Sequence, residues 1–306
     1  MLEPGTWPSE DLSEDADAGA PDPGLIGQSD RSVAGVDNGN VTGYRVRFDE
    51  AGPDGRIRTS ALLRYAQDIA WRHSEALGFD RRWYRVRGRW WVVRSVDLEV
   101  VAAVAMGRTL RVSTAVVGHR RIWARRLADA RLAGGALAAR IVTDWVILDD
   151  RGRLVRIPED FGLSFTNPEL AGEILRAELP AGMPDGHVGE IRCSVRPHDL
   201  DPMGHVNNAT YFDWLEDGLM AAGLDVAALP RRARLEYLAS AGPRDEVVVR
   251  TWLDSGSWAA SIRRTNGEEL LRAVGRVGPD GWPAATSGSA LGSIDGVPPT
   301  GTPPGG

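Results

Sequence analysis

Residues 201–208 are the part of this sequence best suited to chemistry. A carboxylate at Asp201 is followed by a turn residue, Gly204, and by the pair Asn207 and Asn208, directly before a segment with helical periodicity. A carboxylate can activate water or attack a carbonyl carbon. A helix that begins at the asparagines would point its free N–H groups at an oxygen that gains negative charge. The pattern therefore favours attack on a carbonyl compound.

The segment after the asparagine pair is predicted to be an amphipathic helix. Tyr211, Leu215, Leu219 and Ala222 recur at steps of four and three residues and form one apolar face. Asparagine is a common N-cap, so the helix is expected to begin at this pair. The same residue types occur in turns and caps of proteins without any chemistry, so the motif alone leaves both interpretations open.

An earlier copy of the unit lies in the first half of the chain. When the two halves are aligned on their shared pattern, Gly204 coincides with Gly55, whereas Asp201 coincides with Gly52. An internal repeat of this length predicts two copies of one supersecondary unit. Because the first copy lacks the carboxylate, we expect only the second half to be catalytic.

Each half is predicted to contain one helix and several antiparallel strands. Alternating β-branched and aromatic residues are typical of half-buried strands. The predicted strands are 90–101, 109–117, 120–130 and 137–148 in the first half, with 233–237 and 246–253 in the second. The fold class is therefore α+β, with a long helix wrapped by an antiparallel sheet in each unit. The two sheets are expected to join edge to edge.

The motif 201–208, followed by Tyr211, resembles the signature of hotdog-fold acyl thioesterases. Two tandem units with a degenerate first copy are similar to the acyl-ACP thioesterases of plants and bacteria, whereas the motif itself is closer to single-hotdog acyl-CoA thioesterases. Further matching segments in the first half are 44–47, 54–56, 62–67, 70–73, 77–79, 91–94 and 145–149. The resemblance implies a tandem double hotdog. Its N-terminal unit would shape the acyl pocket and its C-terminal unit would hydrolyse a fatty acyl thioester of ACP or CoA.

The resemblance also implies roles for individual residues. Asp201 would be the general base or nucleophile, the Asn208 N–H would help to hold the oxyanion, and His205 would orient water or substrate. The residues expected to bind substrate are Asn207, Glu216, Trp71 and Trp91. For His205 the alternative is a capping or packing role, and for Glu216 it is a solvated helix carboxylate. No cofactor or metal is implied.

The sequence departs from the plant pattern near the motif, which keeps other functions open. Met203 stands where the plant proteins have Asn, and Ser240 and Ala241 lie near their later acidic and Cys positions. A non-catalytic acyl-thioester-binding hotdog protein is the main alternative. A hotdog dehydratase ranks third, because it would need a His and a carboxylate from opposing units, whereas Asp201 and His205 share one loop.

Charge is distributed unevenly along the chain. Of the net charge of −6, residues 1–42 supply nine acidic side chains against Arg31, and residues 283–306 supply Asp295 alone, so the remainder carries +3. Arginines cluster at Arg81, Arg82, Arg85, Arg87, Arg89, Arg120, Arg121, Arg125 and Arg126. This face is expected to receive an acidic carrier protein, although solvation alone explains most such clusters. Nucleic-acid binding is a weaker interpretation, because the positive excess is small.

Composition excludes several kinds of chemistry. All 36 Lys+Arg residues are arginine, which excludes a lysine Schiff base and a P-loop lysine. Cys193 is the single cysteine, so it has no partner for a disulfide and no zinc-site spacing. A G-x-S-x-G nucleophile elbow is also missing from the sequence.

The chain divides into five predicted segments. Residues 1–42 form a disordered acidic tail, 43–157 the degenerate N-terminal hotdog, 158–189 a linker with a short helix at 169–176, 190–282 the catalytic C-terminal hotdog, and 283–306 a disordered Pro/Gly-rich tail. We found no signal peptide or membrane-spanning pattern in the sequence, so a cytoplasmic protein is expected. Acyl length, carrier preference, and the choice between a monomer and a homodimer stay undecided.

Overall fold

A computed structural model describes residues 39–165, 172–180, 189–254 and 256–278. The first half contains β1 (Gly39–Arg45), α1 (Thr59–Ala76), α2 (Arg81–Arg87), β2 (Arg89–Val100), β3 (Thr109–His119), β4 (Trp123–Arg131) and β5 (Leu137–Asp149). After α3 (Glu159–Leu163), the second half contains β6 (Gly189–Ser194), α4 (Asn208–Ala221), β7 (Arg231–Tyr237), β8 (Glu246–Asp254), β9 (Ser257–Arg264) and β10 (Glu269–Val277). Every predicted strand is present, and α4 begins at the asparagine pair.

The strands of both halves form one antiparallel sheet. Their order is β1-β3-β4-β5-β2-β7-β10-β9-β8-β6. β2 of the first half pairs with β7 of the second, from Ser95 opposite Glu236 to Val100 opposite Arg231. An ion pair between Arg94 and Glu236, with 2.8 Å between Nη2 and Oε1, reinforces this junction. The predicted α+β class and the edge-to-edge joining of two units are confirmed.

The two loops that precede the long helices have the same backbone geometry. The N–H of Gly52 donates to the carbonyl of Arg56 at 2.8 Å, and the N–H of Asp201 donates to the carbonyl of His205 at the same distance. Gly55 and Gly204 occupy equivalent positions with φ of 72° and 78°, a left-handed conformation that glycine adopts without steric cost. The alignment made from sequence is therefore correct in three dimensions.

Helices α1 and α4 lie side by side and run in opposite directions. Arg64 of α1 forms an ion pair with Asp213 of α4, with 2.9 Å between Nη2 and Oδ2. The predicted apolar face of α4 is buried, since Tyr211, Leu215 and Leu219 are at most 2% exposed. Because the helices are antiparallel, the start of each one lies beside the middle of the other.

The segment between the halves differs from its prediction. The expected helix at 169–176 is not observed, since residues 172–176 are irregular and 169–171 lie outside the described residues. The helix of this region is instead α3, which follows Pro158 at its N-cap. Proline is compatible with the N-cap position because a residue there donates no intrahelical hydrogen bond. The predicted tails lie almost wholly outside the described residues, but β1 begins at Gly39, before the predicted start at residue 43.

Candidate active site

Asp201 is held in a fixed orientation by its own loop. Its Oδ1 accepts hydrogen bonds from the N–H of Met203 at 2.8 Å and of His205 at 3.3 Å. Burial raises the pKa of the Asp201 carboxyl, and these two N–H donors together with the His205 side chain oppose that increase. With Oδ1 anchored in this way, Oδ2 is the oxygen left to act on a substrate.

The start of α4 is capped and braced by the other half. Asn207 is the N-cap, and its Oδ1 accepts from the N–H of Ala209 at 2.9 Å. Its Nδ2 donates to Oε1 of Gln67 on α1 at 3.1 Å. The N–H of Asn208, in the first turn, makes no hydrogen bond within the described part of the chain. This donor is therefore available to a ligand, at the positive end of the helix dipole.

A cavity of about 620 Å³ extends from Asp201 into the first half of the protein. It brings together four of the predicted site residues: Asp201, Asn207, Trp71 and Trp91. The rest of its wall is largely aromatic and polar and includes Gln67, Met203, Ser74, Tyr84, Trp90, Arg126, Trp145 and Phe161. A smaller space of about 30 Å³ shares several of these residues and is bordered by Asn208. Together these spaces can hold an acyl group beside the carboxylate.

Two predicted site residues lie elsewhere. The His205 side chain does not border the cavity, although His205 contributes its N–H to Asp201. Glu216 accepts from Oγ1 of Thr59 at 2.7 Å, beside Arg231, in a separate space of about 20 Å³. The structure thus corrects the expectation that Glu216 lies near Asp201. In the antiparallel helix pair, Glu216 faces the start of α1, as Gln67 faces the start of α4.

The sequence interpretation missed several residues of the cavity, and Arg126 is the most informative of them. It was grouped with surface arginines, but it is 9% exposed. Along β4, buried residues alternate with less buried ones, so Arg126 shares the inner face with Ala124 and Ala128. That period of two was the signal in the sequence that could have identified it.

The exposed basic face contains fewer arginines than the sequence predicted. Arg125 is largely buried and pairs with Asp144, with 2.7 Å between Nε and Oδ1. Arg87 pairs with Asp160 at 2.9 Å. Arg82 and Arg85 on α2 are exposed, as are Arg120 and Arg121 before β4. These four arginines, with the exposed part of Arg87, make up the basic surface that a partner can meet here.

Within the described ranges, we find no group of three or more His, Cys, Asp or Glu side chains placed to hold a metal ion. Over the same residues, every helix is too short or too polar to cross a membrane.

Two family models and several known proteins match this chain. The acyl-ACP thioesterase N-terminal domain matches residues 40–164 and the C-terminal domain matches residues 185–270. An oleoyl-acyl carrier protein thioesterase of Arabidopsis thaliana is 24% identical over 58% of this chain, and an acyl-[acyl-carrier-protein] hydrolase of Cuphea viscosissima is 25% identical over 75%. The matches span 53% and 60% of those plant proteins.

The fold is shared with a solved structure of the same class. The 12:0-ACP thioesterase from Umbellularia californica superposes with a TM-score of 0.67 at 22% identity, over 79% of this chain and 97% of that one. Its similarity extends across both halves and their joined sheet. Since the two family models together cover more than half of the sequence, this chain belongs to the acyl-ACP thioesterase family.

Proposed function

We propose that the protein hydrolyses acyl thioesters at Asp201, releasing a carboxylic acid and a thiol. The observation that carries the proposal is the meeting of three features at two adjoining spaces that share Gln67, Arg126 and Trp145 in their walls. Asp201 presents one free carboxylate oxygen to the cavity of about 620 Å³, which has room for an acyl group, and Asn208, whose N–H is unpaired among the described residues, borders the space of about 30 Å³. A base, an oxyanion donor and space for an acyl group are what this reaction requires.

In the proposed reaction Asp201 acts as general base. Its Oδ2 takes a proton from a water molecule while the water oxygen bonds to the thioester carbon. The carbonyl oxygen becomes negative and is stabilised by the Asn208 N–H and the dipole of α4. As the C–S bond breaks, the sulfur takes the proton from Asp201, so the carboxylate is regenerated and one water molecule is consumed. A carboxylate whose pKa is raised by burial is a stronger base, which favours this route.

A labelling experiment tests for nucleophilic attack by Asp201. In a single turnover in heavy-oxygen water, a general base leaves the label only in the product acid. A nucleophilic Asp201 would form an anhydride; water that attacks the aspartyl carbon of this anhydride would place label in the Asp201 carboxylate, whereas water that attacks its acyl carbon would label only the product acid. Mass spectrometry of the peptide that contains Asp201 after the turnover reads out the difference, and label in that peptide would contradict the base mechanism.

The proposed substrate is a fatty acyl group on acyl carrier protein, in line with the activities for which the plant relatives are named. The exposed Arg82 and Arg85 on α2 are our candidates for the carrier contact, since Arg81 of the same helix borders the cavity. Acyl-CoA is the second carrier to test. A role in fatty acid biosynthesis and a cytoplasmic location stay predictions. Both a monomer and a homodimer are compatible with the proposal.

The test is thiol release from a panel of acyl-ACP and acyl-CoA thioesters. Hydrolysis should give one thiol and one free acid per thioester, at a rate proportional to enzyme. Saturable binding of the same thioesters without thiol release would instead support the non-catalytic acyl-binding protein. Met203, which borders the cavity at the position of the plant Asn, is the feature that favours that alternative.

A further inference from the structure

Arg126 places a positive charge inside the wall of the acyl cavity. Its side chain lies on the inner face of β4 and borders both the main cavity and the smaller space beside Asn208. Nη1 donates to Nδ1 of His73 at 2.9 Å and to Oγ1 of Thr114 at 3.4 Å. In the part of the chain that the structure describes, no carboxylate pairs with this guanidinium.

The surrounding groups do not balance the charge. Burial, with a smaller contribution from Arg126, lowers the pKa of His73 to about 4, so the imidazole is neutral at neutral pH. Burial raises the pKa of Tyr84 to about 12, so the phenol is neutral too. Asp144, the nearest acid along the paired strand β5, is bound to Arg125 instead. A buried charge without a counterion is unfavourable for folding, which indicates that the charge serves a ligand.

A second polar group in the same wall lacks a hydrogen-bond partner. Nε1 of Trp145 is buried and has no hydrogen-bond acceptor among the described residues. Trp145 lies on β5 opposite Ala124, diagonal to Arg126 on the same face of the sheet. It borders the same two spaces as Arg126. A plain hydrocarbon chain would leave the Arg126 charge without a counterion and the Trp145 N–H without an acceptor, and both disfavour binding.

We propose that the preferred acyl group carries an oxygen acceptor of its own, and that Arg126 and Trp145 bind this oxygen within the cavity. The inference rests on the proposed thioester hydrolysis and narrows its substrate class to acyl chains that bear a hydroxyl, ketone or carboxylate group. All three accept hydrogen bonds from N–H donors, and a carboxylate would in addition neutralise the guanidinium. The aromatic wall encloses the remaining carbon atoms of the chain.

The test compares thioesters of equal chain length that differ only in oxygenation. The wild-type protein is assayed with octanoyl-CoA, β-hydroxyoctanoyl-CoA, ω-hydroxyoctanoyl-CoA, 7-oxooctanoyl-CoA and suberoyl-CoA. We expect kcat/KM for at least one oxygenated member to exceed that for octanoyl-CoA by about tenfold or more, because a site built to bind a substrate oxygen discriminates against the analogue that lacks it. The member with the highest value identifies which oxygen group is bound.

Two variants assign the preference to the guanidinium. Arg126→Met should reduce the ratio of kcat/KM between the best oxygenated substrate and octanoyl-CoA to near one. Methionine fills similar space without a buried charge, so this variant is expected to fold. Arg121→Met, which changes an exposed arginine close to the same strand, should keep the wild-type ratio. An unchanged ratio in Arg126→Met would overturn the inference.

Product inhibition of the wild-type protein gives a measurement that needs no variant. Suberate or a hydroxyoctanoate should inhibit at a concentration about tenfold or more below that of octanoate. If octanoyl-CoA is hydrolysed as fast as every oxygenated member and octanoate inhibits as strongly as suberate and the hydroxyoctanoate, the inference fails while thioester hydrolysis stands. If no member of the panel releases thiol, either as the CoA thioester or as the matching thioester of acyl carrier protein, the proposed function fails and the inference falls with it.

Discussion

At the scale of the residue, the loop around Asp201 sets the chemistry of one carboxylate. Burial raises its pKa, whereas the N–H groups of Met203 and His205 lower it, and burial has the larger effect. The same N–H groups fix Oδ1 and leave Oδ2 free. The loop therefore orients the carboxylate and increases its basicity, which suits a group that must take a proton from water.

Replacing Asp201 by Asn should remove turnover without unfolding the protein. The Asn oxygen can still accept from the two N–H donors, but it cannot take a proton, so kcat should fall by about 10³. Thiol release measures activity, and the thermal midpoint should stay within a few degrees of wild type. Asp254→Asn, at an exposed position, is the matched control and should keep full activity. Substantial turnover by Asp201→Asn would contradict the assignment.

Activity should rise with pH along a single acid limb. A general base works only when deprotonated, so kcat/KM is low while Asp201 is protonated and reaches a plateau once it has ionised. Because burial raises the pKa of Asp201, the midpoint should lie above the value of about 3.9 that is usual for aspartate. Steady-state rates across acidic pH measure this midpoint, with circular dichroism showing that the protein stays folded. Rates that decrease as pH rises through this range would contradict a base.

At the scale of the element, the starts of the two long helices have diverged although their loops match. The start of α4 borders a large cavity and is braced by Gln67. The start of α1 is closed, because Thr59 is bonded to Glu216 and also accepts from Arg231 at 3.2 Å. The first loop keeps the turn but has Gly52 in place of the carboxylate. The start of α1, which is equivalent to the start of α4, has thus become a structural contact between the two helices.

Placing a carboxylate at Gly52 should not restore activity. In Asp201→Asn protein, the added change Gly52→Asp should leave turnover at the level of the single variant, because the space beside Thr59 is only about 20 Å³. The new Cβ would lie 3.1 Å from Oδ1 of Asp54, a flexible side chain that can shift. Gly52→Asn in the same background controls for shape. If Asp201→Asn with Gly52→Asp releases thiol faster than the single variant and the Gly52→Asn control, the first half contains a second active site.

Glu216 should make stability depend on pH. Burial raises its pKa from 4.5 to about 7, so the folded state binds an extra proton between these values and loses stability as pH rises through them. Glu216→Gln should therefore raise the thermal midpoint near pH 8 more than near pH 5. The corresponding gain in free energy of unfolding near pH 8 should be less than about 3 kcal/mol. Scanning calorimetry measures the difference. Glu246→Gln, an exposed control, should show no such trend, and an equal effect at both pH values would refute this account.

At the scale of the whole molecule, the two halves contribute different parts of one site. The second half supplies Asp201 and the start of α4, while α1, α2, β2, β4 and β5 of the first half form most of the cavity wall. The joined sheet and the antiparallel helices hold these parts in register. A single unit would have the carboxylate without most of its acyl pocket, so both halves are needed.

Reversing charge on α2 should weaken carrier binding selectively. The double variant Arg82→Glu with Arg85→Glu should raise KM for acyl-ACP by about tenfold and leave KM for acyl-pantetheine unchanged, because only the carrier protein reaches this surface. Arg192→Glu on edge strand β6 is the control and should keep the wild-type KM. An equal increase in KM for both substrates would place these arginines in the acyl site instead. An unchanged KM for acyl-ACP would exclude α2 as the surface that binds the carrier.

The sequence by itself determined the class of fold, the repeat and the position of the carboxylate. Those features depend on local signals, namely periodicity, turn residues and a helix cap, which are visible in neighbouring residues such as Asp201, Gly204 and Asn207. The same signals placed most strands within a few residues of their observed bounds. The helix predicted at 169–176 is wrong over its described part, 172–176, because Gly172 adopts a φ of 93° that lies outside the helical region.

Only the tertiary structure decided which side chains meet. Glu216 is on the same helix that begins beside Asp201, yet the antiparallel contact of α1 and α4 turns it toward Thr59. Arg126 belongs to a run of arginines, and only the layering of helices over the sheet makes its face of β4 an interior one. The burial of a side chain and its hydrogen-bond partners depend on contacts with residues distant in the sequence. They follow from tertiary packing and not from the local sequence pattern.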